Sequence, residues 1–127
     1  MVSIKYIIPA IKRKLYFHPT QQFTYSNTDF EDIYLEDYRL HGWLAGGCQP
    51  TTKKYILFCH GNAGNISDRV TKIRKLNNMG HNVLIFDYSG YGKSKGKPSE
   101  IQLYSDGETY LRYLLTKTKK KTYNHLW

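Results

Sequence analysis

A chain of 127 residues with 40% hydrophobic and 15% aromatic residues suffices for one domain, or for part of a larger one, and is too apolar for wholesale disorder. Its formal net charge of +9 raises a nucleic-acid or membrane reading. Lysine, asparagine, isoleucine and tyrosine are all plentiful, however, so the charge reads as a solvated basic surface without specific nucleic-acid recognition. The cysteines, Cys48 and Cys59, form neither a disulfide framework nor a metal cluster, and nothing in the sequence calls for a metal or an organic cofactor.

Residues 1–29 read as a basic leader. Ile4, Ile7, Ile8, Ile11 and Leu15 stand among Lys5, Lys12, Arg13 and Lys14, a stretch too short and too charged to span a bilayer. As an amphipathic helix it is interrupted by Pro9. The expectation is a leader packed loosely on the domain of a cytoplasmic protein, with weak contact to an anionic membrane surface as the alternative. From Phe30 onwards the pattern turns strand-like. Phe30–Leu35 and Leu40–Ala45 flank Glu36-Asp37-Tyr38-Arg39, which suits a tight antiparallel turn.

Tyr55–Cys59 is a continuous apolar run, the mark of a strand buried on both faces. After a glycine-rich turn, Ile66, Val70, Ile73 and Leu76 fall on one helical face, with Asn65 or Ser67 as the cap and Gly80 as the stop. Val83–Phe86 is a second buried strand. Strand, helix and strand together occupy about thirty residues, the size of one βαβ unit. A second glycine-rich loop, Ser89–Pro98, leads to a second helical pattern, for which Ile101, Tyr104, Leu111, Leu114 and Leu115 approximate the inner face. Asp106 and Glu108 read as solvated helix charges. Lys117–Thr122 closes that helix, and Tyr123–Trp127 opens a third parallel strand. The fold class is therefore α/β: an antiparallel hairpin leading into a parallel βαβαβ sheet.

Two motifs stand at the C-terminal ends of the parallel strands, where open α/β sheets place their sites. They are His60-Gly61-Asn62-Ala63-Gly64-Asn65, and the run from Phe86-Asp87-Tyr88-Ser89-Gly90-Tyr91-Gly92 through Lys93-Ser94-Lys95-Gly96-Lys97-Pro98-Ser99-Glu100. Together they resemble the α/β-hydrolase superfamily, and within it the ABHD-type branch of membrane-associated serine hydrolases. The resemblance runs from about Phe30 to Trp127.

It implies that the turn after the first buried strand lends a backbone N–H to an oxyanion hole. By position this is Asn62, with Ala63 the second choice; Gly61 and Gly64 let the turn close. It also implies that His60 supports the loop rather than acting as a base, and that Asp87, with Gly90 and Gly92 beyond it, organises the second loop by accepting backbone N–H bonds. Tyr88 and Tyr91 pack near the pocket floor.

Three apparent motifs are set aside. Gly92–Gly96 matches G-x-S-x-G, but Ser94 is not at a strand-to-helix turn. The same loop approaches a phosphate-binding P-loop, but Asp87 stands where that motif needs glycine, and a carboxylate repels phosphate. Asn65-Ile66-Ser67 is a glycosylation sequon by pattern alone.

By the resemblance, residues 30–127 form a truncated hydrolase domain ending before the nucleophile elbow. The nucleophile, the triad acid, the triad histidine and the second oxyanion donor then lie beyond Trp127, and no catalytic triad residue is present. The ancestral substrate would be a small-molecule or lipid ester, thioester or amide, which the chain alone would not hydrolyse; the alternatives are a non-catalytic binding module using the half fold, on a membrane surface or by dimerisation, and a split hydrolase completed in trans. A last strand left without its neighbours would invite self-association through its edge.

Overall fold

The computed structural model describes residues 16–27, 29–46 and 55–118. In chain order the strands are β1 (His18–Pro19), β2 (Glu31–Leu35), β3 (Leu40–Ala45), β4 (Tyr55–Phe58), β5 (Ala63–Gly64) and β6 (Asn82–Phe86). A 3₁₀ turn over Ile66–Arg69 runs into helix α1 (Val70–Asn78), and helix α2 spans Glu100–Thr118. The main sheet has the order β2-β3-β6-β4, while β1 and β5 form a separate two-stranded parallel ribbon.

The expected hairpin is present, with Glu31 opposite Leu44 and Leu35 opposite Leu40. The expected parallel pair is also present, Tyr55 opposite Asn82 and Phe58 opposite Ile85. β6 lies between β3 and β4, antiparallel to the first and parallel to the second. Its position explains its sequence, since a central strand covered on both faces needs apolar side chains in both directions. Val83 and Ile85 join Trp43, Ala45, Ile66 and Ile73 on one face. Leu84 and Phe86 join Leu40, Leu57, Tyr110 and Leu114 on the other. Helix α1 thus closes the first layer and α2 the second.

The hairpin turn is strained. Glu36, Asp37 and Tyr38 have φ of 52°, 53° and 66°, a left-handed run that costs roughly 1–2 kcal/mol per residue. Arg39 holds it in place. Its guanidinium bonds Glu36 Oε2 at 2.6 Å, Ser89 Oγ at 2.6 Å and Asp106 Oδ1 at 3.4 Å, so the turn is tied to the second loop and to α2. Asn65 caps the 3₁₀ turn in a capping box with Asp68, and Gly80, at φ 89°, follows α1.

Three expectations change. The inner face of α2 is built on Tyr110, Leu114 and the carboxylate of Asp106, whereas Ile101 and Tyr104 are 82% and 70% exposed. Asp106 is buried rather than solvated: it accepts the Ser89 N–H at 2.7 Å and an amide N–H of Gln102 at 2.9 Å. The loose packing expected of the leader does not extend to residues 16–27, which are hydrogen-bonded to the loops described below. The proposed third strand at Tyr123–Trp127 and the amphipathic pattern of residues 4–15 lie outside the described residues. No helix among the described residues is long and apolar enough to cross a membrane.

Gly42 marks the tightest sheet contact. A Cβ there would lie 2.6 Å from Ile85 O and 3.1 Å from Phe86 Cα, both backbone atoms of the paired strand. Gly42→Ala should therefore destabilise the fold by about 1–3 kcal/mol, the usual cost of overpacking. Gly46→Ala, whose nearest neighbour would be 3.7 Å away, should be close to neutral. Urea midpoints of the two variants check the contrast.

Candidate functional site

Two loops leave the C-terminal ends of the adjacent parallel strands β4 and β6, and one buried pair joins them. His60 Nε2 lies 2.9 Å from Asp87 Oδ1, and both side chains are fully buried. His60 Nδ1 lies 2.7 Å from the Gly61 carbonyl. Both ring nitrogens thus face oxygens. A ring proton is therefore hydrogen-bonded on either nitrogen, to Gly61 O from Nδ1 or to Asp87 Oδ1 from Nε2. Asp87 Oδ1 also accepts the Ile66 N–H at 2.9 Å, so the carboxylate holds the start of the 3₁₀ turn that follows the first loop, where the expectation was the second loop.

Asp87 Oδ2 has no hydrogen-bond partner. Burial pushes the carboxyl up from its ordinary range, against the opposing bond to His60. Gly92 is required beside it: its φ is 51°, and a Cβ would come within 2.1 Å of Asp87 Oδ2.

Two phenols fix the first loop. Tyr88 donates to His60 O and Tyr91 donates to Asn62 O, both at 2.5 Å. These are hydrogen bonds as well as the packing expected of them, and burial raises both phenols. The Asn62 carbonyl also accepts the His18 N–H at 2.9 Å. In a trans peptide the C=O and the next N–H point in opposite directions. Holding Asn62 O against Tyr91 and β1 therefore turns the Ala63 N–H the other way. Holding Gly61 O against the His60 ring likewise turns the Asn62 N–H away from that ring. Asn62 and Ala63 are both exposed. Gly64, at φ 75°, pairs with Pro19 in the parallel ribbon, and Ala63 with His18. Gly61 is exposed at the head of this loop, and the Gly90 carbonyl accepts the Gln21 amide at 2.9 Å.

Asn65 was singled out only as a cap, yet it fastens a strap formed by residues 18–24. Its side-chain N–H groups donate to Thr20 O at 3.0 Å, Thr20 Oγ1 at 3.1 Å and Gln22 O at 2.9 Å. Its Oδ1 accepts the Ser67 N–H at 2.9 Å. The Thr20 carbonyl takes the Gly92 N–H at 2.8 Å, and the Thr24 N–H reaches Ser67 Oγ at 2.9 Å. Being fully buried with its amide occupied, Asn65 offers no acceptor nitrogen for glycosylation in the folded chain. Polar residues spread over 16–24 without periodicity gave no sequence signal for this strap.

The Ser94 hydroxyl is buried inside the second loop. Its Oγ donates to Asp87 O at 2.8 Å and accepts the His41 N–H at 2.9 Å, stapling the second loop to β3. Lys93 caps the ring of Phe23, its Nζ 4.9 Å from the centroid, rather than aiming into a phosphate cradle. No group of three or more His, Cys, Asp or Glu side chains among the described residues is placed to hold a metal ion. Beyond the loops an apolar groove of ≈ 490 Å³ opens between β4 and α2, lined by Leu57, Cys59, Phe86, Leu103 and Leu111. Cys59 is exposed at its edge, just past the strand.

A mixed sheet with a leading hairpin, and loops of this kind at neighbouring parallel strand ends, is the first part of an α/β-hydrolase fold. An alpha-beta hydrolase from Vibrio vulnificus superposes with a TM-score of 0.65 at 22% identity, over 91% of this chain and 44% of its own. The uncharacterized protein YfhR of Escherichia coli K12 is 31% identical over 111 residues, 82% of this chain and 39% of that protein. The alpha/beta hydrolase domain-containing protein WAV2 of Arabidopsis thaliana is 30% identical over 116 residues, 88% of this chain and 36% of that protein. No protein-family model matches the chain. The chain belongs to the α/β-hydrolase superfamily and spans less than half the length of the relatives it matches.

Two predictions follow from the geometry. Asn65→Ala removes several buried partners at once and should cost about 2–4 kcal/mol, since each unsatisfied buried group costs about 1–3. Amide exchange of residues 18–24 should then accelerate more than that of β6; uniform acceleration would count against the strap.

The second concerns His41. Its Nε2 donates to Asp32 Oδ1 at 2.7 Å, and burial pushes its pKa down from 6.5 despite that partner. Below pH 6.5 the unfolded chain takes up a proton that the folded chain resists. Stability should therefore fall with acidification, by up to about 1.4 kcal/mol per pH unit. Asp87 acts in the opposite sense: raised from 3.8, it binds its proton in the folded chain and loses that contribution as pH rises. Comparing wild type with His41→Gln isolates the histidine, and urea midpoints on either side of pH 6.5 should show the steeper acid loss in the wild type alone.

Proposed function

We propose that this chain carries the oxyanion-loop half of a serine-hydrolase site for ester, thioester or amide bonds, and that it does not hydrolyse them alone. The observation that supports this most directly is the pinning of the 60–64 loop. With the carbonyls of Gly61 and Asn62 held by the His60 ring and by Tyr91, the N–H groups of Asn62 and Ala63 point away from those partners before any ligand arrives. A developing oxyanion is stabilised by donors that need no reorganisation.

Ser94 is buried and bonded to backbone, and His60 is committed to Gly61 and Asp87, so neither serves as nucleophile or base. In serine hydrolases stripped of their triad, binding and the oxyanion hole still supply roughly 10³–10⁴-fold acceleration. A site with one oxyanion donor instead of two loses about 10²–10³ of that. The substrate class is a small-molecule or lipid acyl compound, and the basic residues of 1–15 fit weak peripheral contact with anionic lipid.

A fluorophosphonate probe should leave the mass of the purified chain unchanged, and hydrolysis of an activated ester should match the buffer rate. A stoichiometric adduct on Ser94, or saturable turnover by the chain alone, would overturn this reading.

A further inference from the structure

Arg69 differs from the other arginines among the described residues in having no carboxylate to bind. Arg39 donates to Glu36 at 2.6 Å, Arg74 to Asp29 at 2.9 Å and Arg112 to Glu108 at 2.7 Å. The Nη2 of Arg69 donates instead to the Ala63 carbonyl at 2.8 Å, which engages one of the five N–H donors that a guanidinium carries. The adjacent Asp68 is committed elsewhere. Its carboxylate accepts the Asn65 N–H at 3.0 Å and the Thr24 hydroxyl at 3.0 Å, on the side of the strap. A half-buried guanidinium thus stands beside the 60–64 loop with its charge uncompensated.

The position of that charge on the loop gives it a use. In the β1–β5 ribbon the carbonyls of Asn62 and Gly64 accept the N–H groups of His18 and Thr20, at 2.9 and 3.3 Å. Carbonyls alternate in direction along an extended strand, so the Ala63 carbonyl faces away from β1, where Arg69 meets it. The N–H and the C=O of one extended residue point to the same side. The Ala63 N–H therefore opens onto the side that the guanidinium occupies. Gly61 borders the same space, since a Cβ on it would lie 4.0 Å from Arg69 Nη2. A backbone donor and a delocalised cation face one region of solvent at the head of the loop.

We propose that Arg69 recognises an anionic group, a carboxylate or a phosphate, carried by the acyl compound whose carbonyl oxygen meets the Ala63 N–H. The inference rests on the oxyanion-loop reading above. It narrows the substrate class from acyl compounds in general to those with a negative charge a few bonds from the acyl carbon. Arginine suits the task because its planar fork pairs with two oxygens of such a group, while Nη2 keeps its bond to the loop carbonyl. Bonds to a charged partner are roughly twice as strong as neutral ones, so a charge at this point discriminates between acyl compounds.

NMR titration of the full chain at physiological ionic strength tests this with propionate, succinate and phosphonopropionate. The second and third are the first with one anionic group added. Screening at that salt suppresses the general attraction of a basic chain for anions. Succinate or phosphonopropionate should shift the Ala63 amide and the Arg69 Nε–H together, with an affinity about tenfold or more above that of propionate. The tighter of the two identifies the anionic group. In Arg69→Gln the advantage over propionate should fall to near unity, and in Arg69→Lys, which keeps the charge without the fork, part of it should remain. An advantage that persists in Arg69→Gln would show that Arg69 only holds the Ala63 carbonyl, and overturns the inference. If propionate shifts the Ala63 amide but neither larger acid binds more tightly in the unsubstituted chain, the Arg69 inference alone fails. If none of the three shifts the Asn62 or Ala63 amide, the oxyanion-loop reading fails and takes the inference with it.

Discussion

Asp87 ends the central strand with a buried carboxylate, and the arrangement of both loops follows from keeping that group inside the protein. One oxygen serves His60 and the Ile66 N–H, while the other rests against Gly92 without a hydrogen bond. A buried carboxylate with one oxygen unbonded is costly, and removing the partner of a buried pair typically costs 3–5 kcal/mol. The histidine at the end of β4 and the glycine in the loop after β6 are thus conditions for one another. Neither is a free choice while Asp87 occupies the strand end.

The loop geometry builds outward from that pair. His60 is held at both ring nitrogens, so its own carbonyl and that of Gly61 are fixed, and Tyr88 and Tyr91 secure the next contacts. The strap of residues 18–24 then closes over the result through Asn65. The N–H groups of Asn62 and Ala63 are oriented as a consequence, without a direct restraint of their own. Preorganisation of this kind depends on neighbouring carbonyls as much as on the donors themselves.

The sequence makes the strands, the caps and both loops legible because each depends on local chemistry. Apolar runs bounded by glycine specify buried parallel strands, and Asn65 and Gly80 bound the turn and helix between them. The long-range polar contacts were not legible. Asp106 looks like any helix carboxylate until Arg39, fifty residues from its other partner Ser89, folds back on it. The same holds for the strap, whose residues have no period to betray them. The inner face of α2 was misread because the helix carries two apolar stripes, and Ile101 and Tyr104 belong to the outer one. Composition cannot tell a core stripe from an exposed one; the position of Tyr110 against Phe86, rings stacked 4.5 Å apart, decides it.

The most direct test of this account is a double-mutant cycle on His60→Gln and Asp87→Asn, read as unfolding free energies in urea. If the pair is the joint between the two loops, each single variant should lose several kcal/mol, and the double variant should lose much less than their sum, with a coupling above about 1.5 kcal/mol. Additive losses within about 0.5 kcal/mol would show that His60 and Asp87 act independently, and would contradict the account.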